Sequence, residues 1–128
     1  MVAQVARVSL GPERRIRVHE VTCVVDCGLA VNPNLVRQQM EGGIVYGLSA
    51  ALHGRIDIEG GQVRQSNFDG YPPLRMNECP AIQTHIVASS EPPEGVGEVS
   101  TPPIAAAVSN AVFALTGMRL RRLPLSLA

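Results

Sequence analysis

The spacing of hydrophobic positions changes along the chain, and each change predicts an element. Residues 2–10 and 15–27 are rich in Val and Ile at strand spacing and flank Gly11-Pro12-Glu13-Arg14, which predicts a β-hairpin closed by a short loop. The second strand changes phase: Ile16 and Val18 share one face, Val21, Cys23 and Val25 the other. That pattern belongs to a β-bulge or to a strand passing from half-buried to fully covered, and either requires a second layer. From Asn32 the period becomes helical. Val36, Met40, Ile44, Leu48 and Leu52 recur every fourth residue, predicting a helix of about twenty residues with Asn32 as cap, Pro33 in its first position and an end near Gly54.

Beyond Gly54, residues 55–58 and 62–66 predict a second hairpin around Glu59-Gly60-Gly61, and the proline-rich stretch from Asn67 to Pro80 predicts a loop. Ile82 to Ala88 alternates as a short strand does, and a Pro/Gly-rich turn follows. A last helix is expected with Thr101 as cap, Pro102 and Pro103 in its first turn, an apolar stripe of Ile104, Val108, Ala111, Val112 and Leu115, and Gly117 as its stop. The tail from Met118 to Leu125 alternates leucine with arginine and is expected to be extended. The sequence contains no internal repeat and no linker. The expectation for residues 1–128 is one α+β unit, with β-hairpins and short strands packed against two main helices.

Composition narrows the picture. Hydrophobic residues make up 45% of the 128 positions and charged ones 17%, which excludes a disordered chain. Eleven basic side chains balance eleven acidic ones, so no nucleic-acid or anionic-membrane surface is expected. Aromatic residues are 3% and Trp is absent, leaving a thin core of Val, Ile, Leu and Ala. No basic, apolar and small-residue leader pattern opens the chain and no membrane-spanning run occurs, so the cytoplasm is the default compartment. Cys23 and Cys27 sit about 13 Å apart if the strand is regular, too far for a disulfide or a shared metal ion. All three cysteines, Cys79 included, are expected to be small buried hydrophobes.

Two stretches have the composition of a site. Gly95-Val96-Gly97-Glu98 stands before the last helix, where glycine lets a backbone approach a ligand and the helix terminus favours negative charge. A structural role for Glu98, answering the helix dipole, accounts for the same residues. Within the first helix, Gly42, Gly43 and Gly47 each disfavour helix by roughly 1 kcal/mol relative to alanine. Either a flat polar ligand or a neighbouring backbone explains them. Gln39, on that helix, carries both a donor and an acceptor and can read a ring edge. His19, His53 and His85 have no metal-ligand spacing, and neither a nucleophile motif nor a phosphate loop is present.

In combination these segments resemble a known family. Asp26-Cys27-Gly28 with Asn32-Pro33, Gln39-Met40-Glu41-Gly42-Gly43 with Gly47-Leu48, Gly97-Glu98 with Pro102-Pro103, Asn110-Ala111, Thr116-Gly117 and Arg121-Arg122-Leu123-Pro124 match, in order and spacing, the C-terminal region of the molybdopterin-binding large subunit of the xanthine dehydrogenase and aldehyde oxidase family. Asn67-Phe68 and Tyr71 to Glu78 further resemble the branch typified by the isoquinoline 1-oxidoreductase β subunit and related aldehyde dehydrogenases. The resemblance implies a molybdenum hydroxylase that oxidises an N-heterocycle or an aldehyde with water as oxygen source. It implies Glu98 as the catalytic base that takes a proton from a metal-bound hydroxyl, and Gln39 as a hydrogen-bonding partner of the pterin. Gly42 and Gly43 are implied to let the helix pass close to the cofactor, with Gly97 beside the base. The implied cofactor is a molybdenum–pterin group, molybdopterin or its cytosine dinucleotide, with no metal ligand in this chain. The implied partners are the remainder of the large subunit, a small subunit with two 2Fe–2S clusters, and a small-molecule substrate. Many relatives have proline directly after the glutamate, whereas Val99-Ser100-Thr101 intervene here. A chain that opens within a strand is expected to be a piece of a longer subunit. An alternative reading makes it a catalytically inactive folded remnant or interaction fragment of such a subunit. A small anion- or ligand-binding domain built on the turn before the last helix is the reading from a different class.

Overall fold

The computed structural model describes residues 1–127. Strand β1 (Val2–Leu10) pairs antiparallel with β2 (Ile16–Val25) through a tight turn over Pro12–Arg14. The predicted bulge is present: Arg7 faces Glu20 but Val8 faces Val18, so His19 is the extra residue. It turns Val18 onto the same face as Val21, Cys23 and Val25, all four of which are buried. Helix α1 (Pro33–His53) follows, with the Asn32 side chain accepting hydrogen bonds from the backbone N–H groups of Asn34 and Leu35 at 3.1 and 3.2 Å. A two-residue pair, β3 (Ile58–Glu59) and β4 (Gln62–Val63), closes over Gly60 and Gly61, both with positive φ, and is shorter than the pattern predicted. After the 67–80 loop, β5 (Ala81–Ile86) adds to β2 in parallel, giving the sheet order β1-β2-β5.

Helix α2 (Thr101–Thr116) lies against β1 and α1. Both helices cover one face of the sheet, and between the layers lie Val21, Cys23, Val25, Met40, Ile44, Leu48, Ile104, Val108 and Val112, each at most 1% exposed. On the other face Val5 and Val24 remain exposed, as do Gln83 and His85. The chain is thus an α+β unit of two layers with one face of its sheet uncovered.

Four details differ from the sequence pattern. The cap position of α2 is Ser100, and Thr101 is already helical; its hydroxyl donates to the carbonyl of Gly43 at 3.2 Å instead of closing its own helix. Ala107 is buried in addition to the expected stripe, whereas Leu115, expected within it, is 54% exposed. In the tail Leu125 and Leu127 are buried, and the Leu125 N–H donates to the Ala51 carbonyl at 2.7 Å, whereas Leu123 is exposed and no strand forms among the described residues. Cys23 and Cys27 are buried as expected, but Cys79, in the 67–80 loop, is exposed; all three are free thiols.

Candidate functional site

A cleft of about 390 Å³ opens between α1 and the segment that leads into α2. It is lined by Gln39, Gly42, Gly43 and Tyr46 on one wall and Gly97, Glu98, Thr101 and Pro102 on the other. Helix α1 supplies its wall by periodicity, since positions 39, 42, 43 and 46 fall on one stripe. That stripe is distinct from the buried one of Val36, Met40, Ile44 and Leu48.

The opposite wall is irregular backbone running into the first turn of α2, and several independent ties hold it in place. Val87 N–H donates to the Val25 carbonyl, Leu29 N–H to Glu91, and Glu94 N–H to Cys27, each at 2.9 Å. Gly28, at φ 68°, packs so closely on the Pro92 carbonyl that no side chain fits between them. Farther on, Thr101 N–H closes a turn onto the Glu98 carbonyl at 2.9 Å, and Gln4 Nε2 donates to the Ser100 carbonyl at 2.8 Å. Ser100 is completely buried, and its Oγ is without a hydrogen-bond partner among the described residues, wedged against Gly43.

The glycines of α1 divide the work. A Cβ on Gly43 would collide with Ser100 Oγ and lie 3.1 Å from Thr101 Oγ1, while one on Gly47 would lie 2.5 Å from Ile104 Cγ2 and 2.7 Å from the Thr101 carbonyl oxygen. These two positions let α2 approach. A Cβ on Gly42 or on Gly97 would meet nothing within 4 Å. Those two positions face the open cleft.

Glu98 is exposed, and its carboxylate accepts no hydrogen bond among the described residues. A purely structural role for it is weakened by the first turn of α2, which offers little for a capping carboxylate to bind. Pro102 and Pro103 have no N–H, and the Thr101 N–H is spent on the Glu98 carbonyl. Gln39 and Tyr46 likewise make no side-chain hydrogen bond within the described residues. The cleft therefore presents an amide, a phenol and a carboxylate, all available to a guest, around a glycine-lined gap. Among the described residues no group of three His, Cys, Asp or Glu side chains is placed to hold a metal ion.

Residues 1–80 match the family model of the molybdopterin cofactor-binding domain. The chain belongs to that family. Its relatives include the isoquinoline 1-oxidoreductase β subunit of Brevundimonas diminuta, 41% identical over 113 residues, which are 88% of this chain and 14% of that subunit. The xanthine dehydrogenase molybdenum-binding subunit of Escherichia coli O157:H7 is 32% identical over 119 residues, 88% of this chain and 16% of the relative. The crystal structure of quinoline 2-oxidoreductase from Pseudomonas putida superimposes with a TM-score of 0.82 at 24% identity, over 91% of this chain and 16% of that one, and so agrees in fold. The chain spans about a seventh of the first of these relatives and about a sixth of the second.

For a member of the molybdopterin-binding family, the residues present fit the cofactor. The gap at Gly42 and Gly97 is space that a Cβ at either position would begin to fill, and the Gln39 amide offers both donor and acceptor to a ring edge. All five residues singled out in the sequence, Gln39, Gly42, Gly43, Gly97 and Glu98, line this one cleft, but the space beside Gly43 that was expected to admit the cofactor is taken by Ser100 and Thr101. Sequence reasoning missed Tyr46, Thr101 and Pro102. The three-to-four-residue spacing from Gln39 through Gly42 would have pointed to Tyr46, whereas nothing local signals that Thr101 faces α1.

Proposed function

We propose that the chain is the C-terminal, cleft-bearing segment of the large subunit of a molybdenum hydroxylase that oxidises an N-heterocycle or an aldehyde. In this reading water supplies the oxygen, and electrons leave to a partner carrying two 2Fe–2S clusters. The observation that carries it is the meeting of Gln39 and Glu98 on facing walls of one glycine-lined cleft in a chain of the molybdopterin-binding family. When bound, the molybdenum–pterin group, with or without its cytosine nucleotide, supplies a two-electron redox centre and an acidifying metal ion. Glu98 accepts the proton that leaves the attacking oxygen, for which its carboxylate needs only to be unengaged and within reach of the cleft. Gln39 fixes the pterin edge, and Gly42 and Gly97 leave the backbone bare where the ring passes.

The remainder of the large subunit is the expected neighbour of the exposed apolar side chains. Ile56, Ile58, Val63, Phe68 and Met76 cluster in sequence around the β3–β4 hairpin and its following loop, and each is more than half exposed. Patches of this kind mark surfaces that another chain or domain covers. The test is the molybdenum and pterin content of the chain expressed in a cofactor-producing host, alone and together with the remaining domains. Metal in the combined sample alone supports a completed hydroxylase subunit. Metal in neither leaves a folded remnant whose Glu98 has nothing to deprotonate, and sinks the assignment.

A further inference from the structure

Tyr46 stands seven, four and three residues beyond Gln39, Gly42 and Gly43, the intervals that a helix gathers into one stripe. The chain has two Tyr and two Phe. Phe113 is covered by the Arg119 guanidinium, 3.7 Å from its ring centre. Phe68 and Tyr71 belong to the 67–80 loop and do not line the cleft. Tyr46 is therefore the one aromatic ring on the cleft wall, 73% exposed, and its phenol has no hydrogen-bond partner among the described residues.

A planar guest lying along α1 needs a wall without bulk and a ring to end on. Gly42, one turn before Tyr46, gives the first, because a Cβ there would find empty space. Tyr46 gives the second, a π-face that stacks on any flat heterocycle. A rise of 1.5 Å per residue sets Gln39 and Tyr46 about 10 Å apart along the helix axis, the scale of a fused-ring molecule.

We propose that Tyr46 holds a planar nitrogen heteroaromatic ring in the cleft, as its stacking platform, while Gln39 reads a polar edge. The proposal rests on the cofactor-cleft reading for its guest. Either the pterin or a heterocyclic substrate has the required chemistry, and the test separates them. The full chain is titrated by NMR with two probes: 6-hydroxymethylpterin, which carries the pterin's edge of several donors and acceptors, and isoquinoline, a flat ring whose one polar atom is its ring nitrogen. Both the Tyr46 ring and the Gly42 amide are expected to shift. Tyr46→Leu should weaken binding about tenfold, within the range lost when one base–aromatic stack is removed. Tyr46→Phe should keep near-parent affinity, and Gln39→Ala should weaken the pterin, which offers several hydrogen bonds, more than isoquinoline, which offers one.

Pterin binding that fails in Gln39→Ala yet is unchanged in Tyr46→Leu overturns the role of Tyr46 and leaves the cofactor-cleft reading standing. Tyr46-dependent binding of isoquinoline with none of pterin upholds the platform, assigns it to substrate and overturns the pterin role of the cleft. Equal losses in the Phe and Leu variants, or no shift at Tyr46 with either probe, overturn the proposal. Because Tyr46 is largely exposed, the variants are expected to unfold at the parent temperature, which a thermal melt of each confirms before titration.

Discussion

Gly42 and Gly43 are neighbours in one helix and face different worlds. The place where a Gly43 side chain would stand is taken by Ser100 and Thr101, as that of Gly47 is by Ile104 and the Thr101 carbonyl. Beside Gly42, and across the cleft beside Gly97, there is nothing within 4 Å. On the packed side a missing Cβ is a condition of folding, because α2 could not otherwise come close enough to bury Ile104 and Val108 completely. On the open side the missing Cβ does nothing for stability. Gly42 disfavours its helix relative to alanine, and no packing contact at that position offsets it.

The contrast is sharpest in activity. Glu98→Gln, on the open side, is expected to lower turnover of the completed enzyme about a hundredfold or more, the scale of a lost general base. Molybdenum content and thermal stability should stay at parent values, since the carboxylate makes no hydrogen bond or ion pair among the described residues. Steady-state kinetics beside metal analysis checks this, and turnover within tenfold of the parent would remove Glu98 from the base's role.

On the packed side the same logic predicts a stability effect. Gly47→Val should destabilise the chain by about 3 kcal/mol, because the Thr101 carbonyl that it meets is backbone and cannot swing aside. Denaturant titration measures it. Gly42→Ala is expected to act in the opposite direction, stabilising by about 0.5–1 kcal/mol through helix propensity, while lowering pterin retention. Should Gly42→Ala destabilise and Gly47→Val not, the division of the helix into two sides is wrong.

The smallest effect concerns the thiols. Burial pushes the Cys23 thiol above its ordinary value, a rise partly offset by the Gln4 side chain, so the reactive thiolate is suppressed there. Cys27 is buried as well, and Cys79 is exposed. A thiol reagent at neutral pH should modify Cys79 rapidly in the native protein and reach the other two only on unfolding. Rapid labelling of Cys23 would mean that the layer between sheet and helices opens more easily than its packing implies.

Much of the architecture was legible because it depends on near neighbours. The bulge at His19 announces itself as a phase change between Val18 and Val21, and α1 as a four-residue period behind an Asn-Pro cap. The five residues of the candidate site were readable too, but only as a set whose spacing matched a family; taken singly, Glu98 looked as much like a helix-terminal charge as a base. Position along the chain misled where the third dimension intervened. Thr101 has the look of a cap, yet its hydroxyl is drawn to the Gly43 carbonyl, fifty-eight residues away in sequence.

The sequence by itself determined the elements, their order and the family, because period, capping and motif spacing are properties of contiguous residues. Tertiary structure alone decided which glycines pack and which stay open, that Ser100 is sealed beneath Gly43, and that the wall of Gln39 and Tyr46 faces Glu98. The physical reason is that steric room is a relation between two surfaces. A missing side chain is written in the sequence, but what fills its place is set by the element that folds against it.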